Sequence, residues 1–341
     1  MNTSKVAIII LNWNGREHLE NFLPSVVKYS SNSDTKIYIT DNNSTDDSVS
    51  FIKSRYPGIG LILLDKNYGF TQGYIKTLSQ IKSEYFVLLN SDVLVTGQWL
   101  SIIDRMDRDK SIAACMPKIR SYNNNEYFEY AGASGGFVDK YGYPFCRGRI
   151  LNNIEKDNGQ YDDTAEVFWA SGACLFLRAK AYFEAGGLDK DFFAHMEEID
   201  LCWRLKKLNY KILCIPEVTV YHVGGGTLPN NTPKKLYLNY RNNLFLLYKN
   251  LPENVLCRII IIRLFLDILS ALIYLSRLSF RFTATVIRAH LSFYKSLGSL
   301  RRKRKEINEN PATGYPDQVY KKSIVVDFFI RRKRCFSELD F

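Results

Sequence analysis

At 341 residues, 46% hydrophobic and 24% charged, the chain has room for about two domains, and its composition excludes collagen-like, disulfide-dense and wholly disordered classes. The net charge of +11 is uneven: from Leu251 onward there are 17 Lys and Arg against 8 Asp and Glu, so +9 sits there and +2 in the first 250 residues. The seven cysteines include no C-x-x-C pair and no zinc-ligand spacing, and read as small buried side chains in a reducing compartment.

Met1 to Lys5 is polar, and the apolar run Val6 to Leu11 is too short for a signal-peptide core, so a cytoplasmic protein is expected. Val6–Leu11 and Lys36–Thr40 read as buried strands with a helix pattern from His18 to Tyr29 between them. A strand over Gly60–Leu64, a helix over Thr71–Ile81 and a strand over Tyr85–Leu89 continue the alternation. The pattern predicts an α/β fold with a mostly parallel central sheet, whose ligands bind beyond the carboxyl ends of the strands.

Polar clusters fall at those ends: Asn12 to Asn14, Asp41 to Ser44, Asp65 to Gly73, and Asn90 to Asp92. Asp41-Asn42-Asn43-Ser44 suits a turn and helix cap as well as a ligand site, and Asn67-Tyr68-Gly69 suits a tight turn. No G-x-G-x-x-G follows the first strand and no G-x-x-x-x-G-K-[ST] occurs, so neither a dinucleotide fingerprint nor a P-loop is available to hold phosphates. Asn90 and Asp92 put an amide and a carboxylate at a strand end, where a divalent cation bridging a diphosphate would find oxygen ligands; a capped turn is the alternative.

Farther on, a helix starting near His195 carries Glu197, Asp200 and Arg204 on one face, with Glu198 beside them and Ile199, Trp203 and Leu208 opposite. Such acidity suits a helix N-terminus. The flanking Phe192, Phe193 and Trp203 point instead to a half-buried carboxylate of raised pKa, fit for a general base. His222 ends the strand Lys211–Tyr221 and precedes Gly224-Gly225-Gly226-Thr227, which suits either an ordinary histidine or a metal ligand beside an anion-accepting loop. Gly132 to Gly148 reads as a mobile loop beside a ligand site, and Trp169 to Gly172 as the border of a second one; both also fit plain turns and core.

Together Leu11 to Gly15, Asp41 to Ser44, Asn67 to Phe70, Leu89 to Asp92, Gly186 to Arg204 and His222 resemble the family 2 glycosyltransferases of GT-A fold, and among them the rhamnosyltransferase-like bacterial enzymes, over about Val6 to Asn250. The resemblance implies a GT-A nucleotide-sugar-binding domain over residues 1–250. Asp41 would hold the pyrimidine of a dTDP- or UDP-sugar, with Asn12, Asn14, Asn42, Asn67, Gly69 and Asn90 around the donor. Asp92 and His222 would bind Mg2+ or Mn2+, and Glu198, with Glu197 beside it, would be the catalytic base. It further implies inverting transfer to a glycan or lipid-linked glycan acceptor. Two departures stand out: Asn90 replaces the first carboxylate of the D-x-D motif, and Glu stands where many relatives have Asp at the base. A non-catalytic nucleotide-sugar-binding subunit of an assembly complex, its metal chemistry disabled by Asn90, is the alternative.

Residues 251–341 read as a basic, amphipathic helical extension. Val255–Leu278 is apolar but interrupted by Arg258, Arg263, Asp267 and Arg277, which leaves no uncharged spanning stretch. The expectation is a segment lying in the membrane interface, at the inner face of the plasma membrane. Arg281, Arg288 and Lys295 mark one helix face against Phe282, Val286, Leu291 and Tyr294, and Arg301 to Lys305 would attract anionic lipid. A hairpin packed on its own domain or on a second copy in a homodimer is the alternative, and nucleic acid is not expected, since no recognition motif accompanies the charge.

Overall fold

The computed structural model of the protein describes residues 4–224, 232–308 and 316–341. Its first half alternates as read: β1 (Ser4–Asn12), α1 (Arg16–Tyr29), β2 (Thr35–Asp41), α2 (Ser48–Arg55), β3 (Gly60–Leu63), α3 (Gly69–Leu78), β4 (Ser83–Leu89), β5 (Val93–Leu94), α4 (Ile102–Arg108) and β6 (Ile112–Ser121). A run of short strands follows, β7 (Gly136–Asp139), β8 (Pro144–Cys146), β9 (Arg149–Ile150), β10 (Asn153–Ile154) and β11 (Ala165–Glu166), then β12 (Cys174–Arg178), α5 (Ala179–Glu184), α6 (Glu197–Lys207) and β13 (Lys211–His222). The chain closes with α7 (Pro233–Asn250), α8 (Glu253–Ser276), α9 (Phe280–Asn308), β14 (Val319–Tyr320) and α10 (Ile324–Phe329).

The central sheet has the order β11-β13-β6-β12-β4-β1-β2-β3, with β5 paired to β13. Strands β1 to β4, β6 and β13 run one way, and β5, β11 and β12 the other. Central strands covered on both faces read as continuous apolar runs; Ala7, Ile8 and Ile9 on β1 and Phe86 and Val87 on β4 are fully buried. In-register parallel pairing sets Asn12 beside Asp41, and Ile10 beside Leu89. The polar residues that follow β1, β2 and β4 therefore emerge at one edge.

A second sheet, in the order β10-β9-β8-β7-β14, takes its last strand from the C-terminal segment. Gly132 to Gly148, read above as a mobile loop, contains the β7–β8 hairpin of this sheet. Gly136 is required there, since a Cβ would lie 2.0 Å from the Trp169 ring. Trp169 itself is buried core, its Nε1 donating to the Phe137 carbonyl at 3.0 Å, and so borders no open acceptor surface. Phe336 and Phe341 pack on Phe137, with centroids 5.2 and 4.8 Å away, so the end of the described chain is tied back to the body.

The helical hairpin α8–α9 reverses the usual amphipathic arrangement. Arg263 and Asp267, two of the charges that break the apolar stretch, are only 2% and 1% exposed. They face each other at 3.3 Å, with His290 on Asp267 at 3.0 Å. Arg263 also lies over the Tyr143 ring and donates to the Tyr141 carbonyl at 3.2 Å. The apolar residues point outward instead, Phe265 being 67% and Leu278 74% exposed, together with Ile261, Ile268, Leu269 and Leu272. On α9 the buried side is Val286, Ala289, Phe293 and Leu300. Leu291 and Tyr294, expected opposite the basic face, are exposed together with Arg288 and Lys295, because packing against α7 and α8 and not the local charge pattern sets the rotation of the helix. No helix among the described residues is long and apolar enough to cross a membrane.

Candidate functional site

Where β1 and β2 end, Asn12 donates from Nδ2 to Asp41 Oδ1 at 3.1 Å and to Ser44 Oγ at 3.2 Å. Ser44 donates its hydroxyl to Asp41 Oδ1 at 2.6 Å and its backbone N–H to Oδ2 at 2.8 Å. Asn14 joins from outside, accepting the Thr45 N–H at 2.7 Å. The cluster fixes the Asp41 carboxylate while leaving Asn12 Oδ1 buried and without a partner, which an incoming N–H would satisfy. Trp13, 46% exposed, stands at the rim.

Asn42 and Asn67 shape this cleft. Asn42 Nδ2 donates to Asn67 Oδ1 at 3.1 Å and to the Gly69 carbonyl at 3.0 Å, and its Oδ1 accepts the Tyr68 N–H at 2.9 Å. Asn67 Oδ1 also takes the Gly69 N–H at 2.8 Å. Gly69 has φ +74°, and a Cβ there would lie 2.5 Å from the Phe193 ring, so the turn needs glycine both for its backbone and for this close approach.

At the end of β4, Asp92 Oδ1 lies 3.1 Å from His222 Nε2, and Asn90 Nδ2 is 3.3 Å from the same nitrogen. The pairing of β5 with β13 sets Val93 beside His222 and brings this contact about. His222 Nδ1 faces Glu129 Oε2 at 3.3 Å. Sequence reasoning missed Glu129, which sits in a loop without a motif of its own. Burial opposes a charged imidazole, yet hydrogen bonds to Asp92 and Glu129 raise the His222 pKa to about 10. Burial likewise disfavours the Asp92 carboxylate, and His222 more than offsets this, holding it below the ordinary range.

Among the described residues, no group of three or more His, Cys, Asp or Glu side chains forms a metal cage. A divalent cation would fit between Asp92 and His222 by displacing the proton that the imidazole otherwise carries, since the two donor atoms are 3.1 Å apart, about the spacing of neighbouring ligands on one cation. Glu129 on Nδ1 would keep Nε2 as the ligating nitrogen. The loop beyond Gly224, expected beside this pair, lies outside the described residues.

Helix α6 opens with Glu197 and Glu198, both carboxyls desolvated: Glu197 Oε2 and Glu198 Oε2 are buried without partners. Burial, with the neighbouring Glu198 charge behind it, pushes Glu197 well above the usual carboxyl range. Burial raises Glu198 to about 7. Asp200 differs, because Arg204 at 2.8 Å and Lys249 at 2.9 Å neutralise it and Asn250 Nδ2 donates to it at 2.8 Å. It serves as an anchor and is unavailable as a base.

The loop entering α6 is strained. Phe193, His195 and Met196 have φ of 65°, 68° and 71° with no glycine among them, a conformation that costs roughly 1–3 kcal/mol per residue. Asn242 of α7, fully buried, holds it with one amide nitrogen, 2.9, 2.8 and 2.7 Å from the carbonyls of Phe192, Ala194 and His195. Arg241 adds bonds to the Asp191 and Phe192 carbonyls at 3.0 and 3.1 Å. The loop reaches the Asn67–Gly69 turn as well, where Phe193 packs on Gly69 and its carbonyl accepts the Thr71 N–H at 3.0 Å. Asn242 was not found from the sequence; its one signal is Asn242-Asn243 in mid-helix, where asparagine is a weak helix former and needs another reason to be there.

A sequence model described as Glycosyl transferase family 2 matches residues 7–182. The chain is 25% identical over 236 residues to the N-acetylglucosaminyl-diphospho-decaprenol L-rhamnosyltransferase of Mycobacterium tuberculosis, covering 64% of this chain and 76% of that protein. It is 22% identical over 225 residues to rhamnosyltransferase WbbL of Escherichia coli, covering 64% and 83%. Solved structures with a similar fold include GalNAc-T7 with UDP, GalNAc and Mn2+, at TM-score 0.57, 15% identity and coverage of 73% of this chain and 48% of that one. The mannosyltransferase PcManGT of Pyrobaculum calidifontis with GDP-Man and Mn2+ has TM-score 0.52, 13% identity and coverage of 86% and 88%.

Proposed function

The chain belongs to glycosyl transferase family 2, and from that premise we propose that it is an inverting transferase moving a sugar, rhamnose by analogy with its relatives, from a dTDP- or UDP-linked donor to a hydroxyl of a lipid-linked or polysaccharide acceptor. The observation that carries the reading is the contact of Asp92 with His222 at 3.1 Å, which joins two strand ends at the edge where Asn12 and Asp41 also meet. Asp41, held by Asn12 and Ser44, receives the nucleotide base, and the Asn67–Gly69 turn lines the donor. Asp92 and His222 would hold a divalent cation, which when bound offsets charge on the departing diphosphate. Glu198 takes the acceptor hydroxyl proton as the oxygen bonds to the anomeric carbon from the face opposite the diphosphate, whose bond to that carbon breaks. Glu197 beside it is raised as well, by burial and by the neighbouring Glu198 charge.

The test is a mass-spectrometric screen for donor hydrolysis with dTDP-, UDP- and GDP-sugars. Turnover of one donor is expected, and binding without hydrolysis of any would favour a non-catalytic nucleotide-sugar subunit. Within this reading Asn242 positions the base. Asn242→Asp, which sets a carboxylate against three carbonyls, is expected to lower kcat about 100-fold while leaving donor KM within a few-fold; steady-state kinetics showing unchanged kcat would remove that role.

The proposed place of action is the inner membrane face. All seven cysteines are free, in keeping with a reducing compartment. The outward apolar residues of α8 and the basic ones of α9 suit an anionic bilayer surface better than water. Within Arg301 to Lys305, Lys303 pairs with Asp189 and Asp191 and Arg304 pairs with Glu253, leaving Arg301, Arg302 and Lys305 exposed for lipid. Co-sedimentation of the wild type with anionic vesicles is expected to weaken as salt rises, to drop already at low salt when those three are changed to Glu, and to fail in Phe265→Asp/Leu272→Asp. Undiminished binding by both variants would point to a homodimer through α8 and α9, a case for sedimentation velocity.

A further inference from the structure

Between α3, the turn after α5, the C-terminal half of α6 and the end of α9 lies a cavity of about 620 Å³, within the range of small-molecule sites. It is not the donor cleft. Helix α6 carries Glu197 and Glu198 at its start, whereas Arg204, Lys207 and Leu208 reach the cavity from its far end, about 10 Å further along the axis.

Six basic side chains line the cavity, Lys76, Lys190, Arg204, Lys207, Lys249 and Lys303, against three acidic ones, Glu184, Asp189 and Glu306. Lys249 bridges Asp189 at 2.6 Å and Asp200 at 2.9 Å, Arg204 reaches Asp200 at 2.8 Å, and Lys303 joins Asp189 and Asp191. Glu184 accepts the Tyr210 hydroxyl at 2.6 Å and meets Lys180 at 3.7 Å. The lining as a whole keeps a positive excess, and at its mouth Lys76 and Lys190 are exposed beside Glu184 and Glu306. Burial first, then Arg304, Arg204 and Lys249 around it, lower the Lys207 pKa to about 8 against the pull of Asp200. Ile75, Leu188, Leu208 and Ile307 supply an apolar wall.

We propose that this cavity is a second ligand site, separate from the donor cleft, that takes a phosphate group carried on an apolar chain, the headgroup chemistry of an anionic lipid. Lysine ammonium groups act as point charges toward phosphate oxygens, and the apolar wall removes methylene surface from water. The end of α9 supplies Lys303 and Ile307 to the cavity and holds Arg301, Arg302 and Lys305 exposed beside it. This last argument, that lipid is at hand, rests on the membrane reading above; the chemistry of the walls does not.

The test titrates the full chain in EDTA, by isothermal calorimetry, with dihexanoyl-phosphatidylglycerol below its micelle concentration, with dihexanoyl-phosphatidylcholine and with inorganic diphosphate. Phosphatidylglycerol is expected to bind and phosphatidylcholine to bind far more weakly. Affinity is expected to fall about tenfold or more in Lys76→Glu/Lys190→Glu, whose exposed positions spare the fold, and to be unchanged in Asp92→Ala, which alters only the donor cleft. Diphosphate binding as tightly as the lipid, with the same dependence on the two lysines, would overturn the lipid assignment in favour of a soluble phosphate. Equal binding by wild type and the double lysine variant, or binding of neither anion, would overturn the site. Loss of vesicle co-sedimentation with soluble lipid binding retained would count against the membrane reading alone.

Discussion

Glu198→Gln is expected to abolish transfer while donor binding stays near the wild-type level. Removing a general base costs about 10²- to 10⁴-fold in rate, and the amide leaves Asp41, Asp92 and His222 untouched. The wild-type pH profile provides the companion test. With Glu198 raised by burial to about 7 and active as the base only when ionised, kcat should rise about tenfold per pH unit on the acid side and level off above pH 7. A carboxyl raised in the fold also costs stability once it ionises: its contribution is fully present below the ordinary carboxyl range and is lost as pH rises through about 7. The Gln variant, free of that loss, should unfold at an equal or higher temperature than wild type at pH 8. Wild-type turnover by Glu198→Gln would move the base to Glu197, since Asp200 is held by Arg204, Lys249 and Asn250.

Asp92→Ala and His222→Ala are each expected to cut activity about 100-fold or more and to raise the Mn2+ concentration needed for half-maximal rate. Excess Mn2+ should partly restore both, because a site that offers Asn90 in place of a second carboxylate would bind its cation weakly to begin with. The measurement is a metal titration of initial rate, begun from EDTA-treated protein. Full wild-type activity in excess EDTA would remove the metal from the mechanism and leave Asp92 as the counter-ion of His222. Glu129→Gln separates orientation from charge. It keeps a partner for Nδ1 while lowering the His222 pKa, and its deficit should be smaller than that of His222→Ala.

The strands that place the site are readable because each is rich in apolar and β-branched residues and gives way to a polar cluster: β1, β2, β4 and β13 begin and end within about two residues of the expected positions. The acidic start of α6 is equally plain, since the aromatic residues around Glu197 and Glu198 signal their burial. What escapes local reading are pairings between distant segments. Nothing near Cys174 says that β12 runs antiparallel between β4 and β6, and nothing near Val319 says that it completes a sheet begun at Gly136. Glu129 and Asn242 matter through what they touch across 93 and 47 residues of chain, a relation with no local periodicity. On α8 the charges were read as interruptions of an interfacial helix, whereas Arg263 and Asp267 satisfy each other on the inner side, which turns the apolar side outward.

The pairing of β14 with β7 also sets an order of events during synthesis. Strands β1 to β4, the Glu197–Glu198 helix and the whole α8–α9 hairpin leave the ribosome before Val319, so the edge of β7 and the rings of Phe137 and Phe145 wait, uncovered, for the last part of the described chain. Domains generally fold as units while the chain emerges, and here one unit is incomplete until a segment some 180 residues downstream returns to it. In the interval the nascent protein presents two adhesive surfaces, an unpaired strand edge and an outward apolar hairpin. Early arrival of the hairpin at a bilayer would shield one of them while the other closes, making targeting and folding a single kinetic problem for this chain.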